Sequence, residues 1–290
     1  LAERDRSVVS VPGLLEMKRR GEKIGMLTAY DYPTARILDR AGADALLVGD
    51  SLGMVVLGYD STVYVTLEDM IHHTRAVVRG AEGSLVISDL PFGSYEEGPA
   101  QALRSAVRLV KEGGCTAVKL EGGSEVSASV RAIAAAGMPV VGHVGLTPQS
   151  SASFGGFRVR AKTAQEARDL VQNARALEEA GAFMIVAEAV PASVGELLSR
   201  SLSVPVIGIG AGAGCDGQVL VSTDMLGIQD ELTPRYLKRY ASLSGDMDLA
   251  VRSYLSEVKS GAFPGEEHVY DMQSGEHDEL QRLRGSEGEN

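Results

Sequence analysis

Short apolar runs rich in β-branched residues alternate with stretches of helical periodicity from one end of this 290-residue chain to the other. Eight runs read as strands: GMLTAY from Gly25, ADALLVGD from Ala43, SLVISDL from Ser84, TAVKLEG from Thr116, PVVGHVG from Pro139, FMIVAEA from Phe183, PVIGIGAG from Pro205 and, more weakly, QVLVSTDMLG from Gln218. They are continuously apolar rather than alternating, as strands buried on both faces of a parallel sheet must be. The clearest helix spans Thr163 to Ala180, with Ala167, Leu170, Val171, Ala174 and Leu177 on one stripe. Three helices end in a repeated phrase: RAGADA at Arg40, AAGMPV at Ala135 and EAGAFM at Glu179. Each puts glycine at a helix C-terminus just before a strand, the mark of an αβ loop. The expectation is an α/β fold, a (βα)8 TIM barrel. Because the eighth strand is weak, an open sheet of seven or eight strands is the alternative.

No Pro/Ser-rich linker divides the chain, so residues 1–272 are expected to form one barrel domain. Residues 1–24 read as a capping helix with Leu14, Leu15 and Met17 on its apolar side. Pro234 to Lys259 reads as extra C-terminal helix, and residues 273–290 as an acidic tail without order. The formal net charge of −11 argues against a nucleic-acid surface. No run approaches the roughly 18 apolar residues that span a bilayer, and the N-terminal residues lack the apolar core of a secretory signal. Cys115 and Cys215 lie far apart and suggest no disulfide framework. A cytoplasmic protein is expected.

Barrel enzymes carry their chemistry at the C-terminal ends of strands, where the βα loops converge. Those ends supply Asp50 and Ser51, Asp89, Lys119 with Glu121, His143, and Glu188. Carboxylates from neighbouring strands with no His or Cys pair at zinc spacing point to a hard cation, Mg²⁺. Each residue also has a plainer explanation. Asp50 or Asp89 could be a helix N-cap, Lys119 and Glu121 an ion pair on one strand face, and His143 a hydrogen-bonded core residue. Glu188 is the hardest to explain away, since a lone carboxylate ending an apolar strand needs a partner or a task. His72 and His73 read as packing or interface residues. The glycines from Gly208 to Gly212 form either a ligand-touching loop or a tight turn.

Several long phrases carry a resemblance: TAYDYPTA at Thr28, LLVGDSLGMVVLGYDST at Leu46, VTLEDMIHHTRAVVRGA at Val65, DLPFGSY at Asp89, AVKLEGG at Ala117, VVGHVGLTPQS at Val140, IGIGAGAGCDGQVLVSTDMLG at Ile207 and FPGEEHVY at Phe263. In these, over roughly residues 8 to 272, the chain resembles the ketopantoate hydroxymethyltransferase family. The resemblance implies a (βα)8 barrel that binds Mg²⁺ and uses methylene-tetrahydrofolate as one-carbon donor to 3-methyl-2-oxobutanoate. It implies metal ligation by Asp50 and Asp89, with Glu121 in the shell directly or through water. Ser51 and Lys119 would hold the substrate carboxylate, His143 would line the pocket, and Glu188 would be the base. It also implies a homo-oligomer, commonly a decamer. Tyr64 stands where the family often has proline, and Arg160–Ala161 where a Gln-Gly pair is common. Phosphoenolpyruvate mutase and isocitrate lyase enzymes are similar in metal and enolate chemistry. They carry a catalytic-loop cysteine in a Lys-Cys-Gly-like setting, and neither cysteine here occupies one.

Overall fold

In the computed structural model, which describes residues 8–154, 156, 158–229 and 234–286, the eight strands close into a barrel in sequence order, every pair parallel. They are β1 (Ile24–Thr28), β2 (Ala45–Val48), β3 (Leu85–Asp89), β4 (Ala117–Glu121), β5 (Val140–Gly145), β6 (Ala182–Glu188), β7 (Val206–Ile209) and β8 (Gly217–Leu220). The weak eighth strand does the closing, pairing with β1 from Ile24↔Gly217 to Leu27↔Leu220 and with β7 at Ile207↔Gly217. The open-sheet alternative is thereby excluded.

Although nearly every strand residue is buried, the two-residue period survives as two separate cores. Met26, Ala45, Leu47, Leu85, Ile87 and Val141 belong to one apolar cluster inside the barrel. Leu46, Val86, Val118, Val140 and Ile185, of the opposite parity on their strands, belong to the other, between the strands and the helices. Strand residues two apart share a face, so one strand serves both cores.

The helices are set by local chemistry. Thr66 and Asp69 form a reciprocal capping box on the helix Leu67–Gly80, and Thr163 and Glu166 form another on Ala164–Glu179. The three repeated glycines, Gly42, Gly137 and Gly181, all turn with positive φ (99°, 85° and 109°), as their phrase implied. The helix Val11–Arg19 closes the bottom of the barrel: Leu14 is fully buried among the interior residues, with Val11 and Met17 beside it. Leu15, expected on the same face, packs instead against the outer cluster. One residue further on is about 100° around a helix, so Leu14 and Leu15 cannot share a narrow target.

The chain divides into two compact units, residues 1–241 and 242–290, and the barrel lies entirely in the first. The helix expected from Pro234 begins only at Leu243; Pro234 to Tyr240 runs as turn and loop, with the Tyr236 ring against Gly210. In the second unit the helix Leu243–Ser260 ends at Gly261 in the left-handed conformation. The stretch expected to lack order contains a helix, Glu276–Ser286, acidic in its first turn and carrying Arg284 in its last. That charge placement suits the helix dipole and needs no apolar stripe, which is why periodicity missed it. Residues 1–7 of the expected cap and 287–290 of the tail lie outside the described residues.

Candidate active site

Strand register assembles the mouth. Asp89 lies beside Lys119, Glu121 beside His143, and Gly145 beside Glu188. On their strands these residues share parity with Ile87, Ala117, Val141 and Met184, which face the barrel interior. Asp89, Lys119, Glu121, His143 and Glu188 therefore stand above the apolar interior. Asp50 and Ser51 come from the turn after β2, where the chain enters the short helix Leu52–Val55. The Asp50 backbone N–H donates to Asp89 Oδ2 (3.1 Å), tying the ends of β2 and β3 together. Ser51 Oγ meets the hydroxyl of Tyr30 at 2.9 Å. Gly49 makes room for it, because a Cβ there would lie 2.8 Å from that oxygen.

The charges form one buried chain. Lys119 Nζ lies 3.0 Å from Asp89 Oδ1, His143 Nδ1 3.3 Å from Glu121 Oε1, and His143 Nε2 3.2 Å from Glu188 Oε2. Asp50, Asp89, Lys119, Glu121 and His143 are each 3–5% exposed. Burial, then Asp89 and Glu121, push the Asp50 carboxyl well above its ordinary value, with Lys119 and Gln149 offsetting part of the rise. Burial also raises Asp89, against the pull of Lys119. Burial opposes the Lys119 charge, but Asp89, Glu121 and Asp50 together hold its ammonium firmly protonated. Burial works against a charged Glu121 as well, yet His143, Lys119 and the Gln149 N–H keep it below the usual carboxylate range. Burial and Lys119 disfavour a charge on His143, while Glu121 and Glu188 outweigh them and push it up to about 9. His143 Nδ1 is also 3.2 Å from Lys119 Nζ, a contact that would require the nitrogen to accept. With the ring protonated at neutral pH, Nδ1 faces Glu121 as a donor and Lys119 is only its neighbour.

Three buried carboxylates thus share two buried cations, Lys119 and His143. Asp89 Oδ1, though at ion-pair distance from Lys119, has no aligned hydrogen bond, and neither has His143 Nε2. An excess of buried negative charge with an unsatisfied carboxylate oxygen fits a divalent cation with oxygen ligands. Among the described residues no three His, Cys, Asp or Glu side chains are arranged to hold a metal by themselves. One or two carboxylates completed by water and substrate is the usual arrangement for Mg²⁺.

Glu188 stands at the rim, its side chain 14% exposed. The backbone around it is tight. A Cβ on Gly145 (φ 99°) would fall 2.3 Å from the Glu188 carbonyl oxygen, and Ala189 adopts φ 49°. Non-glycine residues held in that region signal strain of the kind found at functional sites.

Sequence reasoning missed four residues here. Gln149, in the 3-10 helix Pro148–Phe154 after β5, donates through Nε2 to Asp50 Oδ2 (2.8 Å) and through its backbone N–H to Glu121 Oε2 (3.0 Å). The Tyr95 hydroxyl donates to Gln149 Oε1. Tyr30 holds Ser51, and Tyr236 lies close enough to Glu188 and Asp224 for their charges to add to burial in raising its hydroxyl. Gln149 sat inside the phrase VVGHVGLTPQS, but nothing in its spacing distinguishes a loop amide that reaches a carboxylate from one that faces water.

Other candidates lie apart. His73 Nδ1 meets the Tyr30 carbonyl oxygen at 2.6 Å, a packing role. In the glycine-rich loop after β7, Gly210 is covered by Tyr236 and Gly212 lies against Ala192, so both glycines serve close approach. Both cysteines are buried, and burial pushes the Cys115 thiol up to about 12. Neither is a ready nucleophile.

The model of the family described as ketopantoate hydroxymethyltransferase matches residues 8–266. The chain belongs to the ketopantoate hydroxymethyltransferase family. It is accordingly a hydroxymethyltransferase. A 3-methyl-2-oxobutanoate hydroxymethyltransferase of Enterococcus faecalis is 54% identical over 255 residues, covering 88% of this chain and 93% of that protein. One from Oleidesulfovibrio alaskensis is 57% identical over 250 residues, covering 86% of each. Among solved structures, a 2,3-dimethylmalate lyase of the PEP mutase/isocitrate lyase superfamily aligns with TM-score 0.56 at 17% identity, over 96% of this chain and 99% of that one. Phosphonopyruvate hydrolase, in complex with oxalate and Mg²⁺, aligns with TM-score 0.55 at 14% identity, over 96% and 98%. At such identities the likeness is one of fold. The two departures from the family pattern sit outside the charged cluster. Tyr64 is exposed and packs edge-on against Tyr59. Ala161 adopts φ 54°, a conformation that glycine takes without strain. No helix among the described residues is long and apolar enough to cross a membrane.

Proposed function

We propose that this enzyme, acting in the cytoplasm, transfers a one-carbon unit from methylene-tetrahydrofolate to C3 of 3-methyl-2-oxobutanoate, giving 2-dehydropantoate for pantothenate biosynthesis. The observation that carries the reading is Glu188, a rim carboxylate 3.2 Å from His143 Nε2 and next to a buried cluster short of positive charge. The carboxylates of Asp50 and Asp89 would hold Mg²⁺, with Glu121 acting through water because its oxygens already face His143 and Gln149. When bound, the ion supplies Lewis-acid polarisation of the 2-oxo group, worth several kcal/mol toward the charge that forms on that oxygen. Lys119 and Ser51 would receive the substrate carboxylate, and the Lys119 ammonium offsets enolate charge. His143 would line the pocket, its Nε2 3.2 Å from Glu188 Oε2. Glu188 then takes the C3 proton, a contribution of about 10²–10⁴-fold. The C3 carbanion equivalent attacks the methylene carbon, forming the new C–C bond. Both C–N bonds from that carbon to the folate break, the first as the C–C bond forms and the second as water supplies the hydroxyl. Tetrahydrofolate leaves with a proton on each nitrogen, one from C3 by way of Glu188 and one from the water.

Glu188→Gln keeps shape and hydrogen bonding but cannot take a proton. It should fold and bind the oxo acid as the parent does, yet fail to exchange the C3 proton with deuterated solvent. Exchange near the parental rate would assign the base elsewhere. The family resemblance and the exposed apolar residues of Leu243–Ser260, Leu249, Val251 and Tyr254 among them, support a homo-oligomer, in the family commonly a decamer.

A further inference from the structure

We propose that Gln149 is a positioning residue for this reaction, and that Tyr95 acts through it. This rests on the proposed Mg²⁺-assisted proton removal and adds to it a pair of residues that touch neither substrate nor metal. Gln149 is 5% exposed and uses its amide in full. Nε2 donates both of its hydrogens, to Asp50 Oδ2 at 2.8 Å and to the Leu90 carbonyl at 3.0 Å, while Oε1 accepts from the Tyr95 hydroxyl. Its backbone N–H donates to Glu121 Oε2 at 3.0 Å. One residue in the 3-10 helix Pro148–Phe154 after β5 therefore grips the carboxylate that follows β2 and the one that ends β4, and spans to the loop after β3 as well.

The amide has a defined direction. Asp50 Oδ2 and the Leu90 oxygen both require donors, so the NH₂ group must face them and the oxygen must face Tyr95. A hydroxyl at Tyr95 satisfies that oxygen and makes the reverse orientation, oxygen against carboxylate, unfavourable. With Oδ2 of Asp50 tied to Gln149, Oδ1 is the oxygen left to meet a cation. Partners that orient ligand carboxylates in this way are typically worth about 10- to 100-fold in metal affinity or activity. A side chain that only filled space here could be apolar.

The test uses the full chain and four proteins: the parent, Gln149→Met, Tyr95→Phe and the double variant. Each is measured for Mn²⁺ binding by electron paramagnetic resonance, for C3-proton exchange of 3-methyl-2-oxobutanoate, and for thermal unfolding. Gln149→Met should weaken Mn²⁺ binding and slow exchange by about 10- to 100-fold. Tyr95→Phe should do so by less, and the double variant should be no worse than Gln149→Met, because Tyr95 has then lost the group it orients. Rate losses that multiply in the double variant, or parental Mn²⁺ binding and exchange in Gln149→Met, would overturn the proposal. If Gln149→Met does not fold, folded Tyr95→Phe decides, and parental values in it count against the idea. A parent that exchanges no C3 proton would sink the proposed chemistry instead, leaving the Mn²⁺ comparison to judge the positioning role.

Discussion

The two ends of the barrel are built from the same strands in the same register, yet they are opposite in chemistry. At the bottom, Leu14 of the capping helix plugs an interior of Ile24, Met26, Leu85 and Val219, with nothing polar among them. At the top, the same inward-facing parity delivers Asp89, Lys119, Glu121 and His143, all nearly as buried as the leucine plug. Burial alone therefore says little about what a residue contributes. Apolar burial at the bottom stabilises the fold by roughly 25 cal/mol per Å², whereas burying like charges at the mouth costs stability, a cost that the proposed chemistry would explain. With the proposed mechanism, the difference assigns stability to one end and chemistry to the other.

That division can be broken by substitution at each end. The largest effect should come from Asp89→Ala. It removes one of the two proposed metal ligands and with it several kcal/mol of transition-state stabilisation, a loss of about a thousandfold or more in kcat/KM. Added Mg²⁺ should not restore the rate in steady-state assays, and full activity would remove the metal site from the account. Next comes Leu14→Ala at the bottom, expected to cost about 3 kcal/mol in denaturant unfolding with kcat unchanged. A large fall in kcat for the folded variant would mean that the two ends are not independent.

The smallest and sharpest test is Asp50→Asn, which should raise the stability of chelator-treated protein by about 1 kcal/mol at neutral pH and abolish turnover when Mg²⁺ is supplied. The sign follows from linkage. A carboxyl raised in the folded state favours folding while protonated, and that advantage disappears as pH climbs from the unfolded value of about 3.9 through the higher folded one. The asparagine variant has no such titration, so its gain over the parent should grow with pH across that window. A variant less stable than the parent at pH 7 would show that the Asp50 charge is well accommodated, and would erase the contrast between the two ends.

The sequence by itself determined the order of eight strands, the glycine-ended αβ turns and which residues sit at strand ends, because these depend on local periodicity and backbone conformation. Glu188 could be singled out since an unpartnered carboxylate ending FMIVA is anomalous wherever the strand goes. Helix boundaries in the C-terminal region were less legible. Tyr236 lies in a loop against Gly210, a contact between distant parts of the chain, and Glu276–Ser286 is a helix whose charge placement leaves no apolar period to read. Only the tertiary structure decided that the weak run at Gln218 closes the barrel on Ile24–Leu27, since closure is a property of all eight strands together. Likewise, only the tertiary structure brought Gln149 to Asp50 across 99 residues of chain. A hydrogen bond depends on where two loops end in space, and neither loop's sequence carries that information.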